Sequence, residues 1–395
     1  MNNEIEVNNF KSEINDLPNS SEEINHTPVS NSIKIDSVSV EPDTLRPTSM
    51  LDFGGQPSVI DELTVLIGAA KARGQMPDHV LLAGPPGTGK TTVAQIIANE
   101  LGVPLISTSG PAIERPGDIA SILTSLRGPS VVFIDEIHRL DIRAEELMYS
   151  AMEDGFVDVV IGEGSSIRSI RLPLAPLTIV GATTQAGLLS GPLRDRFGHT
   201  ARFNLYEIDD LSRIVLRSAK VLGVTLLDDS ATIIASRSRG TPRVANRWLR
   251  RVRDWVQVHK SVQTAASGIS SDNTLSALSS FGVDALGLDE LGREILTTLI
   301  VQFRGGPVGL NTLAAAVNEA PATLEQVYEP FMMRIGLIGR TLRGRVAMEA
   351  AYSHLGIEIP NLITPRLPES TMRIIDDIAV LESATVQLKF DNPLI

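Results

Sequence analysis

Gly84-Pro85-Pro86-Gly87-Thr88-Gly89-Lys90-Thr91 fits the pattern G-x-x-x-x-G-K-[ST] and limits the fold more tightly than any other stretch of the chain. Such a loop works only between a buried strand and the first turn of a helix. Its glycines turn backbone N–H groups inward, and the helix start adds the positive end of its dipole. Both flanks meet that requirement. His79-Val80-Leu81-Leu82-Ala83 is a short apolar run ahead of the loop. Thr91 to Leu101 reads as a helix with Val93, Ile96, Ile97 and Leu101 on one face and Gly102 as its stop. Lys90 would then meet the β- and γ-phosphates of a bound nucleotide, and the Thr91 hydroxyl would ligate Mg²⁺.

Two further apolar runs, Val131 to Ile134 and Leu177 to Val180, alternate with helical stretches as far as Tyr206. Near-continuous apolar strands separated by helices predict an α/β fold with a parallel sheet covered on both faces. Asp135-Glu136 ends the first of these runs, at the strand end where open α/β sheets place their ligands. Asp135 would hold Mg²⁺ through water and Glu136 would act as general base on the attacking water; a solvated pair capping the next helix is the alternative. Thr183-Thr184 closes the second run, where a hydroxyl either reaches the γ-phosphate or caps a helix. Arg194 and Arg196 flank Asp195. They form a surface ion-pair network or include an arginine finger for the γ-phosphate, and on the residues alone either arginine fits.

The segments 156–161 and 167–172 flank Gly162-Glu163-Gly164-Ser165-Ser166 and predict a β-hairpin inserted into the α/β unit. Beyond it, 207–277 reads as helical, with a Gly/Ser/Asn-rich linker near 265–274, and 278–365 as a compact, mainly helical unit. Gly240-Thr241-Pro242-Arg243 opens a helix, with Thr241 suited to the N-cap. Arg243 there opposes the helix dipole, a cost that an anion would offset. Trp248 and Trp255 read as core, and the arginines around them as largely solvated.

Residues 1–42 hold eight acids and two lysines, half of the chain's net charge of −12. With Phe10 as their one aromatic, they predict a disordered acidic tail. An acidic total argues against a generic nucleic-acid coat protein, so any DNA contact must rest on a local patch. Arg334, Arg340, Arg343 and Arg345 supply one, with no acid between them and a turn-rich Gly339 to Arg345 segment. Exposed arginines there suit phosphate contacts that do not read sequence. The chain has no cysteine, which excludes disulfides and thiolate metal sites, and its six histidines include no i, i+4 pair for a metal hydrolase. No apolar stretch reaches the ~18 residues of a membrane span, and the first residues lack a secretory signal pattern, so a cytoplasmic location is expected.

GPPGTGKTT, FIDEIHRL, GATT, GPLRDRFG and RGTPR follow one another in the motif order of AAA+ ATPases. Ser109-Gly110-Pro111, Glu146 to Glu153, Ile161 to Gly164, Arg239 to Asn246 and Arg304 to Ala315 narrow the resemblance to the RuvB family over about residues 43–365. The resemblance implies a large AAA+ ATPase domain (43–206), a small helical domain (207–277) and a winged-helix head (278–365), with 366–395 as an extension outside the pattern. It also implies a homo-hexamer on duplex DNA at four-way junctions. Its partners would be RuvA, docked through the hairpin 156–172, and the RuvC resolvase.

By motif position, the resemblance makes Arg196 the finger acting on the neighbouring subunit's ATP and Arg243 a second sensor. Leu45, Arg46, Gly87, Gly89, Thr92, Glu153, Asp154, Gly155 and Tyr206 become nucleotide contacts beside Lys90 and Thr91. Arg340 and Arg345, with Arg343 next, become DNA contacts. Thr88 departs from the family's usual Leu, and Gly155 from a more usual aromatic. A protein-remodelling AAA+ machine and a non-hydrolysing ATP-dependent adaptor are the competing functions; Glu136 and Arg196 argue against the adaptor, which needs neither.

Overall fold

A computed structural model describes residues 45–161, 168–259 and 268–359. The acidic tail 1–42, the hairpin tip 162–167 and the extension 366–395 lie outside the described residues. Among the described residues, the first unit is built on a parallel sheet in the order β2-β3-β6-β1-β7. Its strands are β1 (Val80–Ala83), β2 (Leu105–Ser109), β3 (Ser130–Asp135), β6 (Leu177–Thr183) and β7 (His199–Arg202). Between β3 and β6 the chain makes an antiparallel hairpin, β4 (Phe156–Ile161) and β5 (Arg168–Pro173), in which Phe156 pairs with Pro173.

Strand periodicity divides the core into two layers. Val80, Leu82, Val131, Phe133, Val180 and Ala182 face α1 (Pro57–Arg73) and α2 (Lys90–Leu101). Leu81, Val132, Ile134 and Ile179 face the other way, onto α3 (Pro116–Thr124) and α4 (Ile142–Glu153). Burial on both faces explains why β1, β3 and β6 read as unbroken apolar runs. Strand register then brings the motif residues together. Ala83 lies opposite Thr183, and Ile134 opposite Gly181, so the C-terminal ends of three central strands finish side by side.

A short helix α5 (Gly191–Asp195) precedes β7. The second unit packs α6 (Ile208–Val221), α7 (Asp228–Ser236), α8 (Pro242–His259) and α9 (Ser271–Ser280) around Leu211, Val215, Ile234, Leu249, Val252 and Leu278. Trp248 belongs to that core and Trp255 packs against it, as expected. The linker expected near 265–274 is corrected where it is described. Ile269 is buried and pairs with Leu226, while the Ser270 hydroxyl accepts from Asn273 N–H to cap α9. Polar residues that resemble a linker are here the start of a helix. Val283 also joins this core, so the unit runs past residue 277.

The third unit gathers helices Glu290–Thr297, Leu310–Ala316, Glu329–Arg334 and Glu349–Leu355 around Leu296, Leu299, Met332 and Tyr352. It carries the hairpin β8 (Ile338–Thr341) and β9 (Gly344–Ala347), whose Arg345 also bridges Val308. Among the described residues, no helix is long and apolar enough to cross a membrane.

Candidate nucleotide site and DNA-facing turn

The P-loop leaves β1 at Gly84 and enters α2 at Lys90. Gly87 and Gly89 adopt left-handed φ values of 79° and 104°. A Cβ on Gly89 would lie 3.0 Å from the Phe53 ring, and one on Gly87 would lie 3.1 Å from Arg243 Cβ. The cradle is therefore shaped for bare backbone, and a side chain would fill it. Lys90 is buried, and its Nζ donates to the carbonyls of Gly84 at 2.8 Å and Pro85 at 2.9 Å. An ammonium has three protons, so one remains for a phosphate. Burial pushes the Lys90 pKa down, and the carboxylates of Asp135 and Glu136 push it back up.

Thr88, in place of the family's usual leucine, is fully buried but satisfied, because its hydroxyl donates to Pro85 O at 2.8 Å. The Thr88 carbonyl accepts from the Tyr206 hydroxyl at 3.0 Å. That buried phenol, its pKa raised by desolvation, ties the end of the first unit to the P-loop.

Asp135 closes β3 and accepts from Glu136 N–H at 3.0 Å. Glu136 takes a left-handed φ of 48°, which bends the chain sharply behind the strand. Its Oε2 accepts from Thr184 Oγ1 at 3.3 Å. Thr183, fully buried at the end of β6, has its Oγ1 3.0 Å from His138 Nδ1. Lys90, Asp135, Glu136, Thr183 and Thr184 thus come from three neighbouring strand ends. Thr91 and Thr92 lie in the first turn of α2. From the second unit Arg243 approaches, exposed, with its N–H 3.5 Å from Gly87 O.

Leu45 is buried and Arg46 exposed at the start of the described chain. The Leu45 carbonyl accepts from Arg217 of α6 at 3.0 Å. Sequence reading misses Arg217, since a lone helical arginine carries no motif. These donors fit a magnesium–nucleotide: a bare cradle, a buried cation with a proton to spare, and one hydroxyl and one carboxylate, few enough ligands for Mg²⁺ to keep waters.

Glu153, Asp154, Gly155 and Arg196 form a separate group. Arg196 Nη2 pairs with Glu153 Oε2 at 3.1 Å, and its guanidinium lies 4.3 Å from the Tyr149 ring centroid. Its buried Nε has no hydrogen-bond partner. Asp154 and Gly155 are exposed where α4 turns into the hairpin. Arg194 instead donates to the carbonyls of Ala186 and Leu189 at 3.0 and 3.2 Å, which pins the loop after β6. The two arginines that sequence alone leaves equivalent therefore differ in their surroundings.

The β8–β9 turn divides the arginine series. Arg343 and Leu342 are exposed at its tip, and Arg340, more than half exposed, lies 3.5 Å from Glu325. Arg345 differs from both arginines in its surroundings. It is buried, and its Nε and Nη2 donate to the two Glu329 carboxylate oxygens at 2.7 and 3.2 Å. The pair engages two of the five N–H groups of the guanidinium. Arg334 is likewise engaged, through Tyr206 O at 3.1 Å and Glu207 at 2.6 Å. It joins the third unit to the junction of the first two. The buried Arg239 makes a similar bond, to Gly287 O at 2.9 Å and to the Asp289 carboxylate.

Arg345→Ala is expected to destabilise the fold by about 3–5 kcal/mol, because it strands Glu329 as an unpaired buried charge. Urea unfolding measures this. Unchanged stability would show that Glu329 does not depend on this pair.

Three family models match the chain: "Holliday junction DNA helicase RuvB P-loop domain" over residues 45–203, "RuvB AAA lid domain" over 206–284 and "RuvB C-terminal winged helix domain" over 285–356. A Corynebacterium diphtheriae protein named Holliday junction branch migration complex subunit RuvB is 55% identical over 317 residues, covering 80% of this chain and 86% of its own length. Its namesake from Cutibacterium acnes is 52% identical over 337 residues, covering 85% and 97%. The solved Thermotoga maritima RuvB Holliday junction branch migration motor matches with a TM-score of 0.73 and 47% identity, covering 80% of this chain and all of that one.

Proposed function

The chain belongs to the RuvB family, and from that premise we propose that it is an ATP-driven motor that moves duplex DNA to drive branch migration of Holliday junctions in recombination and repair. The observation that carries this reading is the meeting of Lys90, Asp135, Glu136 and Thr183 at adjacent strand ends, in a chain whose last unit exposes Arg340 and Arg343 on a turn. Site and DNA surface belong to one folded chain, as a motor requires.

In this mechanism the bare cradle of Gly87 and Gly89 receives the phosphates, and Lys90 donates its remaining proton to them. Thr91 would hold Mg²⁺ directly and Asp135 through water; when bound, the ion neutralises charge on the phosphate oxygens. Glu136 takes the proton of the attacking water at a carboxylate oxygen. Thr183 donates to the γ-phosphate or orients that water. Arg196 serves the site of the neighbouring subunit, with Glu153, Asp154 and Gly155 beside it on the shared face. Leu45, Arg46, Thr92 and Tyr206 line the rest of the nucleotide site. Arg243 lets the second unit respond to the γ-phosphate. A finger that acts in trans requires an oligomer, and the family resemblance makes it a homo-hexamer. The hairpin 156–172 docks RuvA, RuvC joins at the junction, and the work is done in the cytoplasm.

DNA affinity as a function of salt tests the surface. Replacing Arg340 and Arg343 by alanine is expected to make the slope of log K against log salt shallower by about 2, roughly one for each phosphate no longer neutralised. An unchanged slope would remove the turn from the DNA interface.

A further inference from the structure

His138 lies between the two groups on which hydrolysis depends, yet neither composition nor motif gives it a role. Its side chain is only 5% exposed. Its Nδ1 is 3.0 Å from Thr183 Oγ1 and 3.4 Å from Glu136 Oε2. Burial lowers its pKa, with Glu136 opposing and Arg139 assisting, so the neutral ring with one N–H dominates. The 3.0 Å contact alone suits either tautomer. Glu136 settles which one. A carboxylate oxygen 3.4 Å from Nδ1 favours a proton there and disfavours a lone pair, because the carboxylate can only accept.

The proton inventory of Thr183 then closes. Its Oγ1 has one proton and two lone pairs. One lone pair accepts from Gln185 N–H at 3.0 Å. If His138 Nδ1–H fills the second, the hydroxyl proton has no protein acceptor left among these partners. If instead Nδ1 carried the lone pair, the Thr183 proton would be spent on the imidazole.

We propose that His138 is a positioning residue whose Nδ1–H, held in place by Glu136, occupies the second lone pair of Thr183 and commits the Thr183 proton to the γ-phosphate of the bound triphosphate. It rests on the roles proposed above for Glu136 and Thr183. The same ring links the general base to the γ-phosphate sensor, because its Nδ1 lies within 3.4 Å of both.

The test is steady-state ATP hydrolysis by the full chain with duplex DNA. His138→Leu lowers kcat by about 10- to 100-fold, the size expected for a misdirected group next to the reacting centre, and leaves KM for ATP unchanged. His138→Asn, whose amide N–H falls near the Nδ1 position, restores most of that loss. His138→Gln, which places its amide near Nε2, does not. Adding His138→Leu to Thr183→Val costs nothing beyond Thr183→Val alone, because the imidazole acts through that hydroxyl.

Additive losses, equal rescue by Asn and Gln, or a raised KM with unchanged kcat would each overturn the proposal. Wild-type turnover in Thr183→Val would instead overturn the role given to Thr183 and so separates the two failures. Should His138→Leu fail to fold, the contrast between Asn and Gln decides alone.

Discussion

Arg196→Ala is expected to bind ATP near wild-type affinity and to hydrolyse it about 10³- to 10⁵-fold more slowly, the range for an arginine finger that stabilises charge in phosphoryl transfer. Binding survives because Arg196 bonds to Glu153 and Pro192 and lies over Tyr149, and shares no partner with Lys90, which bonds to Gly84 and Pro85. Its unpartnered, buried Nε is a donor still in want of an acceptor. Mixing makes the prediction stricter. Arg196→Ala subunits keep an intact P-loop, and Lys90→Ala subunits keep an intact finger. Mixed rings therefore contain some complete interfaces and should recover part of the lost turnover. Near-normal hydrolysis by Arg196→Ala alone, or no recovery on mixing, would refute a finger acting in trans.

The second large effect is at Lys90. Lys90→Ala should lose ATP affinity and turnover together, with hydrolysis down by about 10³-fold or more, since a buried cation aimed at the phosphates is removed from a low-dielectric site. Lys90→Arg should fail as well. The ammonium fits between the carbonyls of Gly84 and Pro85 at 2.8 and 2.9 Å, and a planar guanidinium has neither that size nor that geometry. Nucleotide binding and hydrolysis, measured separately, distinguish this loss from that of Arg196→Ala, in which binding persists.

The parts of the fold that sequence reveals are those buried on both faces. β1, β3 and β6 announce themselves as apolar runs, and their ends place Asp135, Glu136 and Thr183 beside the P-loop. β2 and β7 escape notice because they are edge strands. Leu-Ile-Ser-Thr-Ser is only partly buried, and His-Thr-Ala-Arg is short and polar. Of the motif residues, those that act through backbone shape or local spacing are legible. Those whose meaning depends on a distant partner are not. Arg345 belongs to an apparently solvated basic turn until Glu329 folds against it, and Arg196 gains its context only when Glu153 arrives from the end of α4. His138 stands inside a recognised motif, but its value depends on the register that sets β6 beside β3.

The most direct measurement is ATP-dependent dissociation of a labelled four-way DNA junction by the full chain with RuvA. A branch-migration motor moves the junction with ATP and RuvA present, and the movement disappears in Lys90→Ala. DNA-stimulated ATP hydrolysis with no junction movement would contradict that function and would favour an AAA+ machine with a different substrate.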